Sequence, residues 1–251
     1  MSTVERYVTV AALSHTGLVR EHNEDSLVAG PWTLCGTVTE NPQTLVFALG
    51  SPLVVAVADG IGGQPGGEVA SALTVAHLAA LGPSLGSEDA VRAALARCNR
   101  AVYAAAERDH GLTAMGTTVA GTVVLPDELL VFNVGDSRVL EAGEDGLRQV
   151  SVDDSPPLRP GQRTTSLVTQ AIGGAPRFTE VTPHVRSVPL APDRRYVVCT
   201  DGLTDPVLVE EIAAVLDEHD GGRAVFELWK AAVEAGAPDN ITLALVGVGE
   251  E

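Results

Sequence analysis

Short apolar runs rich in β-branched residues recur seven times along this chain, at 7–13, 44–50, 53–58, 117–125, 129–134, 195–199 and 241–248, each bounded by Gly, Pro, Asp or Asn. Runs of that length with that punctuation read as β-strands. Between them, residues 67–81 place Val69, Leu73, Ala76 and Ala80 at helical spacing, and residues 87–109 do the same with Val91, Leu95, Cys98, Val102 and Ala105. Both stretches predict amphipathic helices, the second opened by Ser87 as N-cap with Glu88 and Asp89 in its first turn. Two more helical patterns come late. One carries Leu208, Ile212, Val215 and Leu216; the other carries Val225, Leu228, Trp229 and Ala232 and stops at Gly236 and Pro238. Strands, a helix pair, strands, a second helix pair and a last strand do not make a regular βαβ alternation. They predict an α+β fold in which two mainly antiparallel sheets lie between helix layers.

A chain of 251 residues, 45% hydrophobic, is long enough for one large core, so a single domain over 1–251 is expected. It has no apolar run of about eighteen residues, and its start, MSTVERYVTV, lacks a leader pattern. Cys35, Cys98 and Cys199 are odd in number and far apart, which excludes a thiol-rich zinc framework and suits a reducing compartment. All three are expected in the core of a soluble, cytoplasmic protein. Thirty-three acidic against sixteen basic residues give a formal charge of −17, which opposes binding to nucleic acid or to an anionic membrane.

The acids are not scattered. VVAVADG ends at Asp59 and Gly60, VFNVGDSR at Asp136 and YVVCTDG at Asp201, while PDNITLALV opens on Asp239 and Asn240. A lone Asp-Gly after a strand is usually only a turn. Four strand-end acids, joined by Glu24 and Asp25 in REHNEDS, are a different matter. Were they to converge, little basic charge would lie near to offset them, and hard divalent cations would be needed. Oxygen donors without a His- or Cys-rich alternative favour magnesium or manganese.

The segments REHNEDS (20–26), VADGIGG (57–63), MGTT (115–118), VGDSR (134–138), TQAIGG (169–174), TDGLTD (200–205) and PDNIT (238–242) stand in the order and spacing of one family. Together they resemble the PP2C-like, metal-dependent serine/threonine protein phosphatases of bacterial type. The resemblance implies a four-layer α/β/β/α sandwich and two divalent cations, Mn2+ or Mg2+, with a third, weaker one. It implies that Asp59 bridges two metals, with the Gly60 carbonyl on the first and Glu24, Asp201 and Asp239 on the second. Asp25 would hold metal-bound water, and Asp136 with Asp201 the third metal. Arg20 would grip the substrate phosphate, and Asn240 would orient its neighbouring Asp, while Thr117 and Thr118 would be structural. The implied reaction is direct attack of a metal-bridging hydroxide on phosphoserine or phosphothreonine, catalysed through Arg20, Asp59, Asp201 and Asp239. The implied partners are phosphoproteins made by bacterial serine/threonine kinases, and the protein would act as a monomer.

Two departures from the family pattern are visible. Ile61 stands where many eukaryotic members have a histidine, so no histidine-dependent acid limb is expected. After Val150 the family commonly has D-H-S and a longer flap; this chain has Asp153, Asp154 and Ser155 and a short Pro-rich stretch, read as an exposed loop over 153–163. An insertion is expected between Gly30 and Pro52. A phosphatase acting on a transcription regulator or a small phosphoester, and a pseudophosphatase that binds phosphoproteins without turnover, are the alternative readings.

Overall fold

The computed structural model describes residues 6–61, 66–158, 162, 164–165, 167–191 and 193–250. The end of the VADGIGG motif at Gly62 and Gly63, and residues 159–161 and 163 of the expected loop, lie outside them. In chain order the elements are β1 (Arg6–His15), β2 (Ser26–Ala29), β3 (Trp32–Cys35), β4 (Gln43–Ala48), β5 (Leu53–Ala58), α1 (Gly67–Leu81), α2 (Glu88–Arg108), β6 (Gly116–Thr117), β7 (Val119–Val124), β8 (Glu128–Val134), β9 (Arg138–Gly143), β10 (Gly146–Gln149), β11 (Ile172–Gly173), β12 (His184–Pro189), β13 (Arg195–Cys199), α3 (Asp201–Thr204), α4 (Val209–Glu218), α5 (Gly221–Glu234) and β14 (Ile241–Glu250).

Two six-stranded sheets form, in the orders β10-β9-β13-β14-β1-β4 and β12-β8-β7-β5-β2-β3, with a two-stranded ribbon of β11 and β6. Every strand pairing within the sheets is antiparallel. The period-2 alternation of a strand sorts its side chains between layers. On β5, Val54, Ala56 and Ala58 pack towards α1 and α2, while Leu53, Val55 and Val57 pack between the sheets. On β14, Ala244 and Val246 join the inter-sheet core, and Ile241, Leu243 and Leu245 meet the late helices. Three stacked cores separate four layers, α/β/β/α. Because β5 is covered on both faces it is an unbroken apolar run rather than an alternating one.

Ser87 caps α2 as expected, its side chain accepting from the Ala90 N–H. The buried face of α1 differs from the predicted one: Ala70, Ser71, Thr74, Val75 and Leu78 are buried, Val69 and Leu73 only partly, and Ala76 and Ala80 are exposed. Small and apolar residues surround this helix on all sides, so spacing alone could not choose a face. Cys98 and Cys199 are buried, whereas Cys35 is exposed at the end of edge strand β3. The expected insertion turns out to be β3, which extends one sheet, and β4, which pairs with β1 at the edge of the other. The segment after Val150 begins not as a free loop but under restraint, with Asp153 paired to Arg138 at 2.7 Å. The open edge of β12 is blocked by α2: Arg92 donates to the Val185 carbonyl at 2.9 Å, and the Ser187 N–H donates to Glu88 at 3.1 Å.

Strand ends approach closely at one end of the sandwich. A Cβ on Gly202 would lie 1.8 Å from the Asn240 carbonyl oxygen, which locks the start of α3 against the start of β14. Gly202→Ala should therefore destabilise the fold by about 2 kcal/mol or more, read as a fall in Tm of at least roughly 4 °C. Gly50→Ala, with no atom within 4 Å of its Cβ position, is the control and should leave Tm unchanged. Equal Tm values for the two variants would contradict the close approach.

Candidate functional site

Asp59 follows the last residue of β5, and the next residue, Gly60, bridges to Thr117. Its backbone is held on both sides: its carbonyl accepts from Thr117 Oγ1 at 2.7 Å and from the Thr118 N–H at 2.9 Å, and its N–H donates to Thr118 Oγ1 at 3.3 Å. Thr118 Oγ1 also meets Ser137 Oγ at 2.7 Å, tying this strand end to the β8–β9 turn that carries Asp136. Both threonines are thus structural, as expected. Glycine is required at 60, where a Cβ would fall 2.5 Å from the Gly67 backbone and 2.9 Å from the Glu24 Cβ.

Asp201 opens α3 directly after β13, and Asp239 precedes β14. Glu24 is placed from behind, its N–H donating to Asn240 Oδ1 at 2.8 Å and its carbonyl accepting from Ser71 Oγ at 2.6 Å. Asn240 meets Asp239 only through its backbone N–H, which donates to Oδ1 at 2.8 Å, and its side chain turns to the loop instead. Its Nδ2 also reaches the carbonyls of Thr16 and His22 at 2.8 and 2.9 Å, so one side chain fixes the whole loop from Thr16 to Glu24 against β14.

The two sheets thereby deliver Arg20, Glu24, Asp59, Gly60, Asp136, Asp201 and Asp239 to one cavity of about 140 Å3, completed by Ile61, Thr118 and Val168. Asp25 is not on its wall. It lies buried behind, Oδ2 accepting from Thr200 Oγ1 at 3.0 Å. Arg20 sits at the mouth, Nη2 2.7 Å from Asp239 Oδ2, with 44% of its side chain exposed. A larger cavity of about 460 Å3 lies on the outer face of the β1/β14/β13 region, but its charged groups are only Asp193, Asp220 and Arg195. The smaller cavity is where the chemistry concentrates.

Crowded carboxyls in a dry site resist ionisation. Burial pushes Asp25 up to about 8, with Asp201 and Asp239 adding to the effect and hydrogen bonds from Thr242 and Thr200 opposing it. Burial, then Asp201, raises Asp136 to about 7. Asp59 is driven well above the usual range by burial and then by Asp25, Asp201, Asp239 and Asp136. Asp201 and Glu24 shift the same way, burial again first. Sequence reasoning missed Asp205, raised to about 6 by burial and Asp201. Its signal was the four-residue spacing in TDGLTD, which puts Asp205 one helical turn beyond Asp201, its N–H on the Asp201 carbonyl at 2.8 Å.

The donor set is entirely oxygen. Oδ1 of Asp25 and Oδ1 of Asp201 are buried with no hydrogen-bond partner, a costly state for a carboxylate that a hard cation would relieve. Among the described residues no three His, Cys, Asp or Glu side chains close tightly enough to enclose an ion by themselves, so an ion here would complete its shell with water, as magnesium habitually does.

Known proteins resemble this chain in sequence and fold. The chain is 32% identical over 265 residues to the serine/threonine protein phosphatase PstP of Mycobacterium tuberculosis, covering 99% of this chain and 46% of that relative. It therefore spans about half the length of that protein. It is 29% identical over 250 residues to the serine/threonine phosphatase stp of Listeria welshimeri, covering 92% of each. Its fold is similar to the crystal structure of the PstP catalytic domain in complex with two manganese ions, with a TM-score of 0.80, 31% identity, and coverage of 97% of this chain and 99% of that one. The protein phosphatase 2C family model matches residues 44–243, and with that span and the four-layer fold the chain belongs to the protein phosphatase 2C family.

Proposed function

We propose that this chain is a divalent-cation-dependent protein phosphatase that hydrolyses phosphoserine and phosphothreonine. The observation carrying the reading is the convergence of five carboxylates from both sheets on one cavity in which, among the described residues, Arg20 is the only basic side chain. Similarity to a catalytic domain that binds two manganese ions supports it. Asp59, the Gly60 carbonyl, Glu24, Asp201 and Asp239 would hold two cations, manganese or magnesium, with Asp59 shared. Asp25 would act from behind through water, and Asp136 would join Asp201 at a third, weaker site. When bound, the cations supply the charge that makes water nucleophilic at neutral pH and offsets the phosphoryl oxygens.

The chain's own groups do the rest. Arg20 offers a planar pair of donors at the mouth and would exchange Asp239 Oδ2 for phosphate oxygens, holding phosphorus over the carboxylates. Ile61 puts an apolar wall where a histidine acid could otherwise stand. No histidine lines the cavity among the described residues, so water would protonate the departing alkoxide. Relatives from Mycobacterium and Listeria support phosphoproteins made by serine/threonine kinases as substrates. A complete set of carboxylates favours turnover over phosphoprotein binding alone.

Hydrolysis of an aryl phosphate with manganese should cease on adding a chelator and fall at least about 100-fold in Asp59→Asn and Asp239→Asn. Turnover that ignores the chelator, or survives in both variants, overturns the mechanism. Arg20→Ala should raise KM for a phosphopeptide on the order of tenfold, the loss of a charge-assisted hydrogen bond. Manganese affinity by calorimetry should be preserved in that variant; loss of metal would contradict the role given to Arg20.

The raised carboxyls also set a pH dependence. A group whose pKa is higher in the fold than in the unfolded chain binds its proton more tightly when folded. The stability it contributes is complete below about pH 4 and is lost as pH rises through the folded values of about 7 for Asp136 and about 8 for Asp25. In chelator, thermal unfolding should therefore occur at a lower temperature at about pH 8.5 than at about pH 5.5, and manganese should abolish the difference. A metal-free Tm that rises across this window would show that the carboxyls are not crowded.

A further inference from the structure

The adjacent residues Asp153 and Asp154 face opposite sheets. Asp153 pairs with Arg138, the first residue of β9, at 2.7 Å. Asp154 turns to the other sheet, Oδ1 standing 2.9 Å from Nε2 of His184, the first residue of β12. The β8–β9 connection crosses from one sheet to the other at this place, through Gly135, Asp136 and Ser137. Asp154 grips that crossing twice: Oδ2 accepts from the Gly135 N–H at 2.9 Å, and its own N–H donates to the Gly135 carbonyl at 2.9 Å. It also holds the opposite wall. Its carbonyl accepts from the Thr169 N–H at 2.7 Å and its Oδ2 from Gln170 Nε2 at 2.9 Å, beside Val168, which lines the cavity. Gln170 in turn binds the Thr182 backbone through both ends of its amide. Among the described residues, no arginine or lysine is paired with Asp154, whose side-chain partners are the Gly135 N–H, Gln170 and His184.

We infer that Asp154 is a positioning residue that locks the turn carrying Asp136 to the wall carrying Val168, and so fixes the width of the cavity between the two sheets. The inference rests on the proposed function for its meaning, since that width sets how Asp136 can approach a cation shared with Asp201. An alanine at 154 would leave the Gly135 N–H and Gln170 without their acceptor and cut the link to His184. An asparagine would keep one acceptor oxygen but turn an NH2 towards His184 Nε2, which must donate to a carboxylate; the ring would have to change tautomer to accept from it, so the variant should act part-way.

Hydrogen exchange on the metal-free protein, paired with manganese calorimetry, tests this on Asp154→Ala and Asp154→Asn. In the alanine variant, protection should fall together at Gly135 and across 167–171, while the amides of α5 keep theirs. The weakest manganese site should bind on the order of tenfold less tightly, as when an outer partner of a metal ligand is lost. Faster exchange confined to 152–155 overturns the proposal, as does a manganese titration that superimposes on the wild type. Should the alanine variant fail to fold, the asparagine variant decides: intermediate exchange at both segments supports the proposal, and wild-type exchange at both overturns it. Exchange is read without metal or phosphoester, so a wild-type protein inert as a phosphatase would sink the proposed function and leave this result standing.

Discussion

Burial of carboxylates that sheet geometry forces together is the constraint on which the site depends. Asp59 arrives on one sheet, Asp201 and Asp239 on the other, and the inter-sheet core of Val55, Val57, Val198 and Ala244 holds those sheets face to face. The strands cannot retreat without opening that core. Each acid therefore meets its neighbours at a distance set by packing rather than by charge. Its remaining freedom is to keep a proton or to share a cation, and burial first, with the charge of its neighbours second, raises each of these carboxyls. The apolar interior thus stores the electrostatic tension that the proposed chemistry would use.

Beneath the acids lies a polar layer with little slack. Ser14 Oγ meets Thr242 Oγ1 at 2.7 Å and accepts from Asn23 Nδ2 at 2.8 Å; Thr200 Oγ1 reaches Asp25 at 3.0 Å and receives the Thr242 N–H at 3.1 Å. These hydroxyls and amides sit where β1, β13 and β14 end, and nearly all are satisfied by one another. The exceptions, Oδ1 of Asp25 and of Asp201, face the acidic centre. Within this layer the cost of an unsatisfied group thus falls on the two acids, where a ligand could repay it.

Much of this could be read from the chain. The strands buried on two faces announced themselves as unbroken β-branched runs, and the acids at their ends as repeated Asp turns. What stayed hidden had physical reasons. Strand β2, with only Ser26 to Ala29, is too short to show a period, and β12 buries only Val185 and Val188, three positions apart and in different cores, so it shows no alternation. Helix α1 is apolar on every side, so its buried face was misassigned. Cys35 looked like a core residue by type but falls at an exposed edge. Convergence itself is a property of register and sheet order across more than two hundred residues. Local patterning carries no trace of it, and only the resemblance of seven spaced motifs implied it.

Asp153 and Asp154 make the same point about meaning. As residue types in a Pro-rich stretch they predict a loop, because aspartate before proline-rich sequence favours turns. In the fold each has a committed partner on a different sheet, and Val168, between them and β11, lines the cavity. A loop that is pinned at its start can shorten without disturbing Asp59, Asp201 and Asp239, since these are placed by β5, β13 and β14 rather than by the flap. Shortening changes instead what stands over the mouth, where Arg20 and Val168 remain. The proposed chemistry and the choice of substrate would thus belong to separable parts of this molecule, one built into strand ends and the other hung from a bracket between the sheets.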